Sequence, residues 1–233
     1  MRDNHMGKPI FDIRDQPAYG LAEAARFLKV PSATLRAWMV GRAYPKGESI
    51  AKFQPLIKPA TKHPPVLSFY NLVEAHVLRS LRTEHGVAVQ ELRNAMRYAE
   101  RSLKVERLLL NKTLATHGGE VFLEKYGELI NLSASGQIAM RRLLEEHLKR
   151  IEWDKWQFPV RLYPYASRES VSERKIAIDP TISFGRPVLL HRGVSTAAIA
   201  NRIDAGETVQ ELARDYDLSI GEIEEAVLYE RAA

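Results

Sequence analysis

Ser32, Ala33, Thr34, Arg36 and Ala37, with Val40 and Arg42, make up a small, basic set that recurs along one side of a short segment. Small side chains let a helix approach a nucleic-acid groove. A guanidinium at such a position can bond base edges or phosphate oxygens. Lys58 and Lys62 follow within a proline-rich stretch and could add phosphate contacts. A second set sits near the chain end, where Ile220, Glu224, Glu225 and Leu228 combine apolar and acidic groups on one helical side. That chemistry repels phosphate and suits a protein partner or self-association.

The elements that must carry these residues follow from periodicity. Leu21, Ala24, Ala25 and Leu28 predict a helix over 21–29. Val30-Pro31 ends it, because proline disfavours helical dihedrals in its predecessor. Ser32 is the expected N-cap of a second helix from Ala33, with Leu35, Trp38 and Met39 on its inner side. Two short helices with a tight break form a helix-turn-helix, although the stretch alone fits an ordinary helical corner equally well. Residues 43–48 read as a loop. Extended runs near 53–58 and 66–69, around the insert Pro59–Pro65, read as the wing of a winged helix, with Lys58, Lys62 and His63 at or near its tip. Asn71 is the expected cap of a helix to about residue 84, and another helix spans 89–103. His76 and His85 have no partner at metal-binding spacing and are read as surface or capping residues.

Further on, EVFLE (120–124) and ELINL (128–132) around Lys125-Tyr126-Gly127 read as a β-hairpin. A helix over 135–153 and a strand over 159–164 follow. A serine-rich linker over 167–173 leads to a strand at 176–178 and three helices near 195–204, 208–216 and 219–229. The expected class is mainly α with small β elements (α+β). The expected domains are a winged helix-turn-helix over 18–103, a small α+β linking or dimerisation segment over 104–167, and a helix-turn-helix-like interaction domain over 172–231.

Composition narrows the possibilities. The 233 residues contain no cysteine, which excludes disulfides and thiolate chemistry. No Gly-rich phosphate loop and no spaced His/Asp/Glu cluster is present, so no catalytic, cofactor or metal residue is assigned. Asp179, Asp204, Asp215 and Asp217 read as turns, caps and surface. No apolar run reaches the roughly 20 residues of a membrane span, and a soluble cytoplasmic protein is expected. The net charge of +5 is unevenly placed. Residues 1–103 carry 16 Lys/Arg against 9 Asp/Glu, whereas residues 172–233 carry 7 against 11. The polyanion-seeking end is the N-terminal one.

The opening corner also recurs at an offset of 188 residues. Glu23, Ala25, Arg26, Leu28, Val30, Leu35 and Trp38 correspond to Glu211, Ala213, Arg214, Tyr216, Leu218, Ile223 and Ala226. Apolar and small positions are kept, but Arg36 and Ala37 become Glu224 and Glu225. With Glu222 and Glu230 nearby, the second corner reads as an acidic, non-DNA face.

TLRAW (34–38), LSFYNLVEAHVLRSLR (67–82) and GVAVQELRNAM (86–96) resemble the DNA-binding domain of MerR-type regulators. The insert Gly41–Gln54 departs from that pattern. Ile178-Asp179-Pro180, Gly185-Arg186-Pro187-Val188, Ile203 with Gly206, Tyr216-Asp217-Leu218, and Ala226 with Tyr229 resemble domain-of-unknown-function family 433. The combination is similar to VapB-type antitoxins. The resemblance implies a homodimer that binds operator DNA and neutralises a cognate PIN-like ribonuclease toxin. The alternative is a MerR-like regulator whose residues 104–167 sense a small molecule, with no toxin.

Overall fold

The computed structural model describes residues 12–46, 49–82, 89–129, 131, 133–165 and 174–232. The chain is mainly helical, with small antiparallel sheets. Strand β1 (Tyr19–Gly20) leads into α1 (Leu21–Leu28) and α2 (Ser32–Val40). Lys29 takes the left-handed conformation at the end of α1 (φ 52°, ψ 44°), and the N–H groups of Lys29 and Val30 return to Arg26 and Ala25. This closes the orphan carbonyls and turns the chain sharply. Ser32 is not the cap: α2 begins at Ser32 itself, and Pro31 stands at the cap position without a side-chain bond. Proline's fixed φ already suits a helix entrance.

The expected loop after α2 is a hairpin, β2 (Arg42–Lys46) with β3 (Ser49–Phe53), paired from Arg42↔Phe53 to Lys46↔Ser49. Pro45 hid it, because proline is admitted only where a strand edge is open, and a two-stranded ribbon is all edge. The expected strand over 53–58 ends at Phe53. Beyond it the N–H groups of Leu56 and Ile57 both donate to the carbonyl of Trp38, closing the end of α2. The wing is the shorter hairpin β4 (Thr61–Lys62) and β5 (Pro65–Leu67), whose β5 also pairs with β1.

Helix α3 (Phe69–Arg82) opens with a reciprocal cap. The Ser68 hydroxyl accepts the Asn71 N–H, and the Asn71 carboxamide accepts the Ser68 N–H. Asn71 is thus the third helical residue and not the cap; Ser68 is. Its amide also accepts from Ala60 N and donates to the Lys58 carbonyl, tying the wing's approach to α3. His76 is buried, contrary to its expected surface or capping role; His85 lies outside the described residues. Helix α4 spans Val89–Leu103.

The expected hairpin over 120–132 is instead α5 (His117–Leu129). Phe122, Leu123 and Tyr126 are all buried, a spacing of one and four that only a helix puts on one side. Gly127 is no turn residue: a Cβ there would lie 2.8 Å from the Gln137 side chain of α6 (Ala134–Leu148), so it marks a close helix–helix approach. The helix expected to reach Trp153 stops at Leu148. Strand β6 (Ile151–Trp153) pairs with β7 (Pro159–Leu162), starting where Tyr163 N–H bonds the Arg150 carbonyl. The expected linker over 167–173 lies outside the described residues.

The C-terminal part has its own three-stranded sheet, ordered β10–β9–β8, with β8 Ile176–Ala177, β9 Val188–Leu189 and β10 Val194–Ser195. Helices α7 (Thr196–Asp204), α8 (Val209–Tyr216) and α9 (Ile220–Arg231) complete it. One hydrophobic core runs from Tyr19 to Ile178, and a second gathers Ile176, Leu189, Ile199, Leu212, Ile223 and Tyr229. Residue 178 joins them through a bridge to Leu162. Among the described residues no helix is long and apolar enough to cross a membrane.

Candidate nucleic-acid interface and partner face

The inner side of α2 is anchored by Leu35, Trp38 and Met39, all at most 2% exposed. Its outer side presents Ser32, Ala33 and Arg36 as exposed residues, with Thr34, Ala37 and Val40 half-buried. Arg36, Arg42, Lys58 and Lys62 make no ion pair with any described residue. No side chain caps α2, so its first amides remain open at the positive end of the helix dipole.

Lys62 lies at the tip of the wing beside the exposed His63. Lys58 does not: it stands at the wing's foot, held by its carbonyl to Asn71. Both lysines line one cleft of about 470 Å³ whose other wall is Met39 and Val40 of α2. The structure therefore brings Lys58 and Lys62 together beside the end of α2, with Arg36 exposed on that helix and Arg42 at the start of the inserted hairpin.

The far end of the chain is built differently. Ile220 (47% exposed), Glu224 and Leu228 (64% exposed) form one outward stripe along α9 at four-residue spacing. Glu225 leaves that stripe, pairing with Lys175 at 3.6 Å. Glu222 is drawn into a capping box with Ser219, and its carboxyl is held below the ordinary range, burial opposing the hydrogen bonds from Ser219. Glu230, with a side chain only 7% exposed, pairs with Arg26 at 2.7 Å. The expected acidic face therefore reduces to Glu224 between two apolar side chains.

Sequence periodicity missed what Glu230 and its neighbours do. The end of α9 docks on the first helix of the DNA-binding corner. The Tyr229 hydroxyl donates to the Phe27 carbonyl at 2.8 Å. Lys29, at the turn between α1 and α2, donates to the Tyr229 carbonyl and sits 4.1 Å from its ring centroid. Burial pushes the Lys29 ammonium down to about 8, with Glu230 opposing the shift. Glu230 also accepts from Thr196, which is itself buried. Arg186 pairs with Glu23 at 3.1 Å. Gly185 meets Tyr19 so closely that a Cβ would lie 2.1 Å from the tyrosine oxygen. On the opposite side Arg79 of α3 donates to the Leu28 carbonyl. The turn that aims α2 is thus gripped from both sides. The only available signal was Tyr229 in the family pattern, which says nothing about where its ring goes.

Residues 17–96 match the family described as "Putative DNA-binding HTH domain", and residues 176–229 match "Protein of unknown function (DUF433)". The chain is 26% identical to "Uncharacterized protein Rv2308" of Mycobacterium tuberculosis, covering 92% of this chain and 90% of that protein. The crystal structure of Rv2018 from Mycobacterium tuberculosis shares the fold, with a TM-score of 0.66 at 24% identity over 93% of this chain and 99% of the other. The chain is also 31% identical to "Putative antitoxin VapB45" of Mycobacterium tuberculosis, over 91% of this chain and 93% of the relative. An N-terminal DNA-binding helix-turn-helix followed by a family-433 domain, at that identity over nearly the whole length, makes the chain a member of the VapB45 antitoxin family.

Proposed function

We propose that the chain is an antitoxin that binds its own operator DNA and neutralises a PIN-like ribonuclease toxin. It works in the cytoplasm as a homodimer. DNA is read by α2, through Ser32, Ala33, Thr34, Arg36 and Ala37, with Arg42, Lys58 and Lys62 on phosphates. The toxin is held by the stripe Ile220, Glu224 and Leu228, with Glu225 at its edge. The division of labour follows the three segments 18–103, 104–167 and 172–231.

The observation that carries this reading is the contrast between α2 and α9. The first exposes Arg36, which pairs with no described residue, and an entrance without a side-chain cap, which is what a polyanion needs. The second exposes apolar groups around one carboxylate and holds the Glu222 carboxylate at its entrance. Two-fold operators place half-sites about 34–36 Å apart, a spacing that a dimer of winged heads reads directly.

The test measures binding to the DNA upstream of the chain's own gene by fluorescence anisotropy across a salt series. It is paired with co-purification of the adjacent gene's product, assayed for ribonuclease activity. Wild-type binding with a steep salt slope and a stable complex are expected. Leu228→Asp should release the toxin and leave DNA affinity intact. Loss of both together, or of neither, removes the assignment of α9.

A further inference from the structure

The last four carbonyls of α1 all have donors, but the donors come from different places. Ala25 and Arg26 accept the N–H groups of Val30 and Lys29, bonds that the turn makes with itself. Phe27 accepts the Tyr229 hydroxyl at 2.8 Å, and Leu28 accepts an Arg79 guanidinium N–H, also at 2.8 Å. The final carbonyls of a helix have no partner within it, so each of these donors ties the end of α1 to a distant element. Lys29 adds a further tie. Its ammonium donates to the Tyr229 carbonyl and stands 4.1 Å from the ring centroid. Lys29 also holds a left-handed conformation that glycine adopts at lower cost, and its side chain is spent on this contact.

The charge-reversed corner forms the same turn without such ties. At the 188-residue offset Phe27 and Leu28 correspond to Asp215 and Tyr216, and no side chain of a described residue donates to either carbonyl. The turn's own bonds are still made, from Leu218 and Asp217 to Ala213 and Arg214. Tyr229, Lys29 and Arg79 are therefore not what makes the turn. They fix how it sits on the rest of the molecule, and α2 leaves it only three residues after α1 ends.

We propose that Tyr229 and Lys29 are positioning residues for DNA reading: the family-433 part sets the angle at which α2 meets the groove, and with it the sequence preference of binding. The proposal rests on the assignment of α2 as the reading helix. Base edges are read only when donor and acceptor are aligned, whereas a phosphate accepts a cation from many directions. Loosening the clamp should therefore weaken binding to the preferred sequence and leave non-specific binding in place.

Full-length wild type, Tyr229→Phe and Lys29→Met are titrated by anisotropy across a salt series. The probes are the duplex upstream of the chain's own gene and a scrambled duplex of equal length and composition. Tyr229→Phe keeps the buried ring and removes one hydrogen bond; Lys29→Met keeps the stem and removes the ammonium. Both should give folded circular dichroism spectra and lose about tenfold in affinity for the upstream duplex. Affinity and salt slope on the scrambled duplex should not change. Thr208→Ala opens the capping box of α8, away from the clamp. It should lower the thermal midpoint and preserve the ratio of the two affinities. A fall in only one clamp variant narrows the role to that residue, and if Tyr229→Phe does not fold, Lys29→Met decides. A ratio that holds in the folded clamp variants, or falls as far in Thr208→Ala, overturns the proposal and leaves α2 as the reader. Wild type that binds both duplexes equally removes the DNA reading itself, and this proposal with it.

Discussion

The two helical corners at Leu21–Val40 and Val209–Leu228 share a backbone. Helix α1 and helix α8 each have eight residues, and α2 and α9 start at equivalent positions. Lys29 and Asp217 both turn left-handed at φ 52°, and the same pair of backbone bonds follows each. Even burial agrees, with Leu35 and Trp38 answered by Ile223 and Ala226. What differs is how the helix entrances are closed. Both C-terminal helices begin with a capping box, Thr208 with Glu211 and Ser219 with Glu222, whereas Gly20 and Pro31 precede α1 and α2 with no side-chain bond. The same corner can be finished as a self-satisfied structural unit or left open toward an anion. The difference is chemical, not topological.

The largest expected effect comes from making one corner resemble the other. Arg36→Glu, which imports the charge of Glu224, should lower operator affinity by about 100-fold and flatten the salt slope by about one. The reverse change, Glu224→Arg, should create no DNA binding, because the Ser219–Glu222 box holds a carboxylate at the helix entrance, where it repels phosphate. Anisotropy titrations of both variants check the pair, and new DNA affinity in the second would break the comparison.

Between about pH 6.5 and 4.5, above the range in which the lowered carboxyl of Glu222 takes up its proton, acid should loosen the histidine-bearing side first. His147 titrates near 4 because burial disfavours its charged form, and fully buried His76 is lowered as well. The unfolded imidazoles take up protons near pH 6.5. Stability is therefore complete above that pH and falls as pH drops toward 4, by up to roughly 3 kcal/mol from His147 alone. Hydrogen exchange should show α3 opening before α8 and α9, and His147→Gln should flatten the decline. Uniform loss of protection in both corners would mean that they unfold as one unit.

The grip between the corners is next. Glu230→Ala removes the partner of Arg26 and leaves the buried Thr196 hydroxyl only its longer bond to the Pro187 carbonyl, costing about 1–2 kcal/mol in urea unfolding at unchanged m-value. Smallest is the capping contrast itself. Ser219→Ala should cost about 1 kcal/mol and Ser32→Ala only a few tenths, since only the first hydroxyl bonds an orphan amide. Equal costs would erase the distinction drawn between the two entrances.

Much of this was legible before any coordinates. Both corners, α3, α4 and the three C-terminal helices follow from apolar spacing, because a helix must bury one stripe whatever it packs against. The stretch at 120–132 misled because Lys-Tyr-Gly has hairpin chemistry locally, and only α4 and α6 on either side select the helix. Ser32 and Asn71 are both cap-forming residue types, yet each sits inside its helix. Local propensity placed the helix starts to within one to three residues and no better.

The sequence by itself determined the repeated corner, the basic and acidic ends, and the side of α2 that is small and cationic. Those depend on residue type at fixed spacing, which the chain carries with it. Only the tertiary structure decided that Glu225 and Glu230 are spoken for, that Lys58 and Lys62 share a cleft with α2, and that Tyr229 grips the turn after α1. Each of those depends on which partner 13 to 204 residues away comes within bonding distance. No local pattern encodes that, because burial and pairing are properties of the assembled surfaces.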